Sequence, residues 1–128
     1  MKALTIRQPW AQLIIEGYKE YEFRSRNINY RGKILIHAGK TIEKDMLPRF
    51  EKYNLTYTKG AIIGEAIIED CILVDDEFNK ELYKNNPLVY GKNNHANTYA
   101  WKLTGIKKYE KPIEVKGQLG LWNYKENE

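Results

Sequence analysis

The run Gly60-Ala61-Ile62-Ile63-Gly64-Glu65-Ala66-Ile67-Ile68-Glu69-Asp70-Cys71-Ile72-Leu73-Val74 decides the fold class. Side chains alternate between the two faces of an extended chain, so the adjacent pairs Ile62-Ile63 and Ile67-Ile68 put β-branched apolar groups on both faces. A strand of that composition is expected at the centre of a sheet, covered on both sides. Cys71 lies in the apolar part of the run and reads as a plain buried thiol. Glu65 lies in the middle and has two readings. Facing inward, it has a pKa raised by desolvation and is a candidate acid or base. Facing outward, it is an ordinary glutamate on a half-exposed strand.

Upstream, Leu4-Thr5-Ile6 is a short first strand. Pro9 then opens a helix, because proline lacks an N–H that a first-turn residue does not use. Trp10, Leu13 and Ile14 share the apolar face of that helix, and Gly17 stops it. From Lys19 to Ser25, Tyr21 and Phe23 alternate with Glu20, Glu22 and Arg24, which predicts a half-buried strand with Glu22 and Arg24 on its polar face. Tyr30-Arg31-Gly32 is a turn, and Lys33 to Ala38 another strand. Thr41 is expected to cap a helix running toward Tyr53, broken or restarted at Pro48.

Downstream, Asp75 to Lys84 is a short helix. Asn85 to Asn97 is polar, contains Pro87 and Gly91, and reads as a long mobile loop. Tyr99, Trp101 and Leu103 mark a further strand, with Trp101 as a core ring. Val115 and the stretch from Leu119 to Tyr124, including the core ring Trp122, supply the last one or two. Several short strands with few helices predict an α+β fold, a small β-barrel flanked by helices.

At 128 residues, without repeats or a linker, the chain reads as one domain over residues 1–124, with residues 125–128 as a C-terminal tail. One cysteine excludes an intrachain disulfide and points to a reduced, cytoplasmic protein. The N-terminal apolar run is broken by Arg7 and Gln8, too early for a signal peptide, and no stretch approaches a membrane span. The net charge of +4 permits attraction to phosphate without demanding it. Ten tyrosines and three tryptophans among lysines and arginines suit base stacking. Two histidines and one cysteine cannot supply a zinc set, so neither metal nor cofactor is expected.

A series of segments in order carries a resemblance: Leu4-Thr5-Ile6-Arg7-Gln8-Pro9-Trp10-Ala11, Gly17-Tyr18-Lys19-Glu20-Tyr21-Glu22-Phe23-Arg24, Tyr30-Arg31-Gly32, Ile36-His37-Ala38-Gly39-Lys40, Gly60-Ala61-Ile62-Ile63-Gly64 and Lys116-Gly117-Gln118-Leu119-Gly120-Leu121-Trp122. Together they resemble the ASCH domain family. The resemblance implies a PUA-like barrel and a ligand cleft beside it, lined by the first helix and the Lys-x-x-Glu-x-Arg strand. It also implies RNA, another single-stranded nucleic acid or a nucleoside as partner. Some relatives are enzymes, with ribonuclease activity in one branch and hydrolysis of an acetylated cytidine in another. In the amidohydrolase branch, threonine stands three residues after the lysine; here that position is Glu22, which has no hydroxyl.

The candidate ligand-binding residues are Gln8, Trp10, Lys19, Arg24, His37, Lys40, Lys116 and Gln118. Arg24 suits a phosphate or base edge, and Glu22 an exocyclic amine or water. By spacing alone the two also make an ordinary surface pair. Gln8 is a candidate for a base edge beside Trp10, whose plainer reading is core. His37 is a phosphate contact, a proton shuttle or a structural histidine. Lys40, Lys116 and Gln118 flank glycine turns and are candidate phosphate contacts. The catalytic candidates are Lys19, Glu22 and Glu65; a desolvated lysine is a base or nucleophile, a solvated one neither. Two functions follow: a module that binds RNA or a modified nucleotide, or a hydrolase acting on RNA or an N4-acetylcytidine-like nucleoside.

Overall fold

The computed structural model describes residues 1–91 and 95–126. In chain order the elements are β1 (Lys2–Gln8), α1 (Trp10–Ile15), β2 (Tyr21–Arg24), β3 (Gly32–Ile42), β4 (Ala61–Leu73), α2 (Asp76–Asn85), α3 (Pro87–Tyr90), β5 (Tyr99–Glu114) and β6 (Leu121–Asn123), with a 3₁₀ segment over Lys44–Tyr53. The strands form one α+β sheet in the order β2-β5-β4-β3-β1-β6. β1 and β3 run parallel, and the other neighbours are antiparallel. β2 and β6 are its edges. Among the described residues the ladder does not close, so the sheet is open where a closed barrel was expected.

β4 pairs with β3 on one side and β5 on the other, as its paired isoleucines require. Ile63, Ala66 and Ile68 pack with Leu4, Ile36 and Leu103 in the larger core. Ile62 joins Ala3, Leu35 and Trp122 in another. α1 is buried from Ala11 through Ile15 because it serves two clusters at once. Ala11, Ile14 and Ile15 face the sheet, while Leu13 packs with Phe50, Leu82, Val89 and Tyr90. Truncating a side chain such as Leu13 to alanine is expected to cost about 2–5 kcal/mol. Gly17 ends the helix at φ +86, a conformation L side chains rarely adopt, and the Tyr18 N–H donates to the Leu13 carbonyl at 2.9 Å. That turn reverses the chain and aims Lys19 back toward the sheet.

Several local expectations are corrected. Thr41 lies in β3 and caps nothing; the following segment is 3₁₀, with Pro48 inside and non-helical angles at Phe50. Proline removes one backbone donor and crowds the preceding turn, which opposes a regular α-helix. The loop expected over Asn85 to Asn97 contains α3, whose first residue is Pro87 and whose cap is Asn86, accepting from the Val89 N–H at 3.1 Å. Residues 92–94 of that loop lie outside the described residues, as do 127–128 of the expected tail. Val115 lies between strands, so the chain ends on β6 alone. Cys71 is half-buried rather than buried.

Candidate functional site

A cleft of about 750 Å³ opens between β1, β2, the end of β3, α3 and the loop from Val115 to Gly120. That volume lies within the usual range for a small-molecule or nucleotide pocket. At its closed end stand Lys19, 5% exposed, and Glu22, 8% exposed. The apolar face of β2 packs as expected, with Tyr21 and Phe23 against the cluster of Leu13, Leu82, Val89 and Tyr90, but its polar face is covered as well: Glu22 is buried and Arg24 half-buried.

Three side chains make one charged relay. Lys19 Nζ stands 3.1 Å from Glu22 Oε1 and also donates to the Tyr21 carbonyl. Arg24 Nε and Nη2 lie 3.0 and 2.9 Å from Glu22 Oε2, and Nη2 donates to the Thr5 carbonyl at 2.8 Å. Both oxygens of Glu22 are thus engaged, which offsets the cost of taking a carboxylate out of water. Burial pushes the Lys19 ammonium below its ordinary pKa, and Arg24 adds to this while Glu22 opposes it. Two aromatic faces accompany the ammonium. Its nitrogen is 5.0 Å from the Phe23 ring centre and 5.8 Å from that of Trp10. Phe23 carries His95 stacked on it, with ring centres 4.0 Å apart.

A second network seats the loop from Val115 to Gly120. Trp122 Nε1–H donates to the Thr5 hydroxyl at 2.9 Å. That hydroxyl lies 3.2 Å from His37 Nδ1, and His37 Nε2 lies 2.8 Å from the Val115 carbonyl. A carbonyl only accepts, so Nε2 carries a proton toward Val115. His37 is 2% exposed and both its nitrogens bind protein groups. Its ring positions the loop that carries Lys116, Gln118 and Leu119.

Of the residues singled out by sequence, Trp10, Lys19, Glu22, Arg24, His37, Lys40, Lys116 and Gln118 all line this cleft. Gln8 and Glu65 do not. Gln8 is fully buried, donating to the Thr58 carbonyl at 2.8 Å and accepting from the Gln12 N–H at 2.8 Å, so its amide clips the chain together. Glu65 holds the Tyr109 hydroxyl at 2.7 Å and the Lys33 ammonium at 3.1 Å. The Tyr109 hydrogen bond, with Lys33, lowers its pKa against the opposing effect of burial, the reverse of the raised value an inward orientation implied.

The structure adds Arg7, Phe23, Glu43, Arg49, His95 and Leu119 to the lining. His95 had no partner legible in sequence; it packs on Phe23, and its Nε2 lies 3.2 Å from the Tyr90 carbonyl. Arg7, Lys19, Arg24, Lys40, Arg49 and Lys116 are basic against the acidic Glu22 and Glu43, so the cleft is electropositive. Among the described residues, no group of three or more His, Cys, Asp or Glu is placed to hold a metal ion, and no helix is long and apolar enough to cross a membrane.

A family model described as the ASCH domain matches residues 4–126. Among solved structures, ASCH from Zymomonas mobilis is similar with a TM-score of 0.62 at 16% identity, over 98% of this chain and 87% of that one. A tyrosine-to-phenylalanine variant of the Zymomonas mobilis protein gives 0.60 at 17% identity, over 98% and 90% of the two chains. A serine-to-alanine variant gives 0.57 at 18%, over 98% and 88%. At these identities the likeness is one of fold. No curated protein matches the chain.

Proposed function

The chain belongs to the ASCH domain family, and from that premise we propose that its cleft binds single-stranded RNA, seating one base or modified base among the aromatic side chains and the phosphates on the basic rim. The observation that carries this reading is the Lys19–Glu22–Arg24 relay at the closed end of an electropositive cleft with Trp10 and Phe23 beside it. Stacking on aromatic faces holds a base without regard to sequence, and charge supplies the rest. Fluorescence anisotropy on short RNA oligomers against salt tests it. If Arg7, Lys40, Arg49 and Lys116 each meet a phosphate, log K falls against log salt with a slope of about −3. Binding that ignores salt, or is absent at low salt, overturns the reading.

A second reading, a hydrolase acting on RNA or on an N4-acetylcytidine-like nucleoside, is favoured by one observation: burial brings the Lys19 amine toward the neutral form that a base needs, beside Glu22 at 3.1 Å. Glu22 lacks a nucleophilic hydroxyl, so Lys19 would take the proton from a water attacking the acyl carbon or phosphorus and return it to the leaving nitrogen or oxygen as the C–N or P–O bond breaks. Turnover of either substrate, abolished in Lys19→Met, supports it; no turnover leaves the binding module. A PUA-like barrel relationship, a single domain over residues 1–124 with a tail at 125–128, and a cytoplasmic setting belong to the same proposal.

A further inference from the structure

We propose that Glu43 determines which base the cleft accepts, by taking a hydrogen bond from an exocyclic amine, so that a base carrying such an amine is preferred to uracil. The inference rests on the RNA reading above and names its ligand class.

Glu43 immediately precedes the 3₁₀ segment, and its side chain makes no capping hydrogen bond there. Instead, Oε2 accepts from the indole Nε1–H of Trp10 at 2.6 Å. The Trp10 ring meets Phe50 edge-on, centres 5.7 Å apart, so the direction of that N–H is set by packing. The backbone of Glu43 is tied as well: its N–H donates at 2.8 Å to the carbonyl of the fully buried Gln8. Backbone and one carboxylate oxygen are thus fixed before any ligand arrives.

Its other oxygen differs from those of Glu22, where Lys19 occupies one and Arg24 the other. Among the described residues, Glu43 Oε1 makes no hydrogen bond, while Glu43 and Trp10 both line the cleft. A carboxylate there weakens attraction for phosphate, so a basic phosphate groove alone gives it no use. What it offers is an acceptor with no donor capacity. Cytosine N4, adenine N6 and guanine N2 present N–H groups to such an acceptor; a uracil seated as cytosine is seated puts O4 there, lone pair to lone pair, and its one donor on that edge, N3–H, reaches the carboxylate only if the base shifts along the edge.

The test compares short cytidine and uridine RNA oligomers by fluorescence anisotropy at pH 7.5. The two share ring size and phosphate charge, so the electrostatic contribution cancels. The cytidine oligomer is expected to bind about tenfold tighter or more. Glu43→Gln keeps a carbonyl for Trp10 and adds an amide donor, so the preference falls to parity or reverses while affinity for the uridine oligomer is kept or gained. Trp10→Phe keeps an aromatic ring but frees the carboxylate, which narrows the preference without reversing it. Equal binding of both oligomers by the unaltered protein overturns the inference and leaves the RNA reading standing. Equal losses on both in Glu43→Gln assign the residue a structural role and overturn it too. Binding of neither at low salt overturns the RNA reading, and this inference with it.

Discussion

Gly117 lies directly against the ring of His37: a methyl group at residue 117 would stand 2.4 Å from His37 Cε1, far inside van der Waals contact. The same ring holds the Val115 carbonyl at 2.8 Å, so the loop is seated by one close approach and one hydrogen bond. Gly117→Ala is expected to lift the loop and cost roughly 1–3 kcal/mol by overpacking. Chemical denaturation measures the cost, and anisotropy shows whether RNA affinity falls with it. An unchanged midpoint would mean that the loop yields freely.

The relay is asymmetric toward deletion. Glu22→Ala leaves Lys19, 5% exposed, without its counter-charge, and is expected to cost about 3–5 kcal/mol. Lys19→Met leaves Glu22 still held by Arg24 and is expected to cost less. The double variant should be less unstable than the two losses added together, because the pair acts as a unit. Urea unfolding of all three ranks them; strict additivity would mean that the 3.1 Å contact contributes no coupling.

Burial pushes the Tyr90 hydroxyl up to about 12, disfavouring the phenolate in the folded protein. A group whose folded pKa lies above its unfolded value contributes stability that is complete below pH 10 and is lost as pH rises through about 12. Tyr90→Phe is therefore expected to flatten the fall in stability across that window. At neutral pH it costs about 1 kcal/mol, because the Glu20 N–H loses an acceptor at 3.0 Å. Thermal melts of both proteins at pH 7, 10 and 11.5 check the sign.

Leu119 is 95% exposed at the mouth of the cleft, between Gln118 and Gly120. Leu119→Ser is expected to leave the melting midpoint unchanged, since nothing packs on the side chain, and to weaken RNA binding severalfold if the leucine covers a bound base. An unchanged affinity would place the base deeper in the cleft.

Much of the backbone was legible from local pattern. The paired isoleucines of β4, the stop at Gly17 and the alternation from Tyr21 to Arg24 all specify local geometry, and the segments around Gly17-x-Lys19-x-x-Glu22-x-Arg24 pointed to the family. The cap of α3 was also present, as Asn86-Pro87, but was hidden in a polar stretch. What alternation cannot reveal is which face becomes interior. Glu22 reads as the polar side of a half-exposed strand and ends 8% exposed, because Lys19 and Arg24 arrive to neutralise it.

The sequence by itself determined that strands dominate, that α1 stops before Gly17, and that Glu22 and Arg24 share one face of β2, since those properties depend on residues within a few positions along the chain. Tertiary structure alone decided that Gln8 and Glu65 stand outside the cleft, that His95 stacks on Phe23, that Glu43 turns to Trp10, and that, among the described residues, the sheet stays open between β2 and β6. Each of these joins residues far apart in sequence, and a contact of that kind is set by the packing of whole elements rather than by local conformational preference.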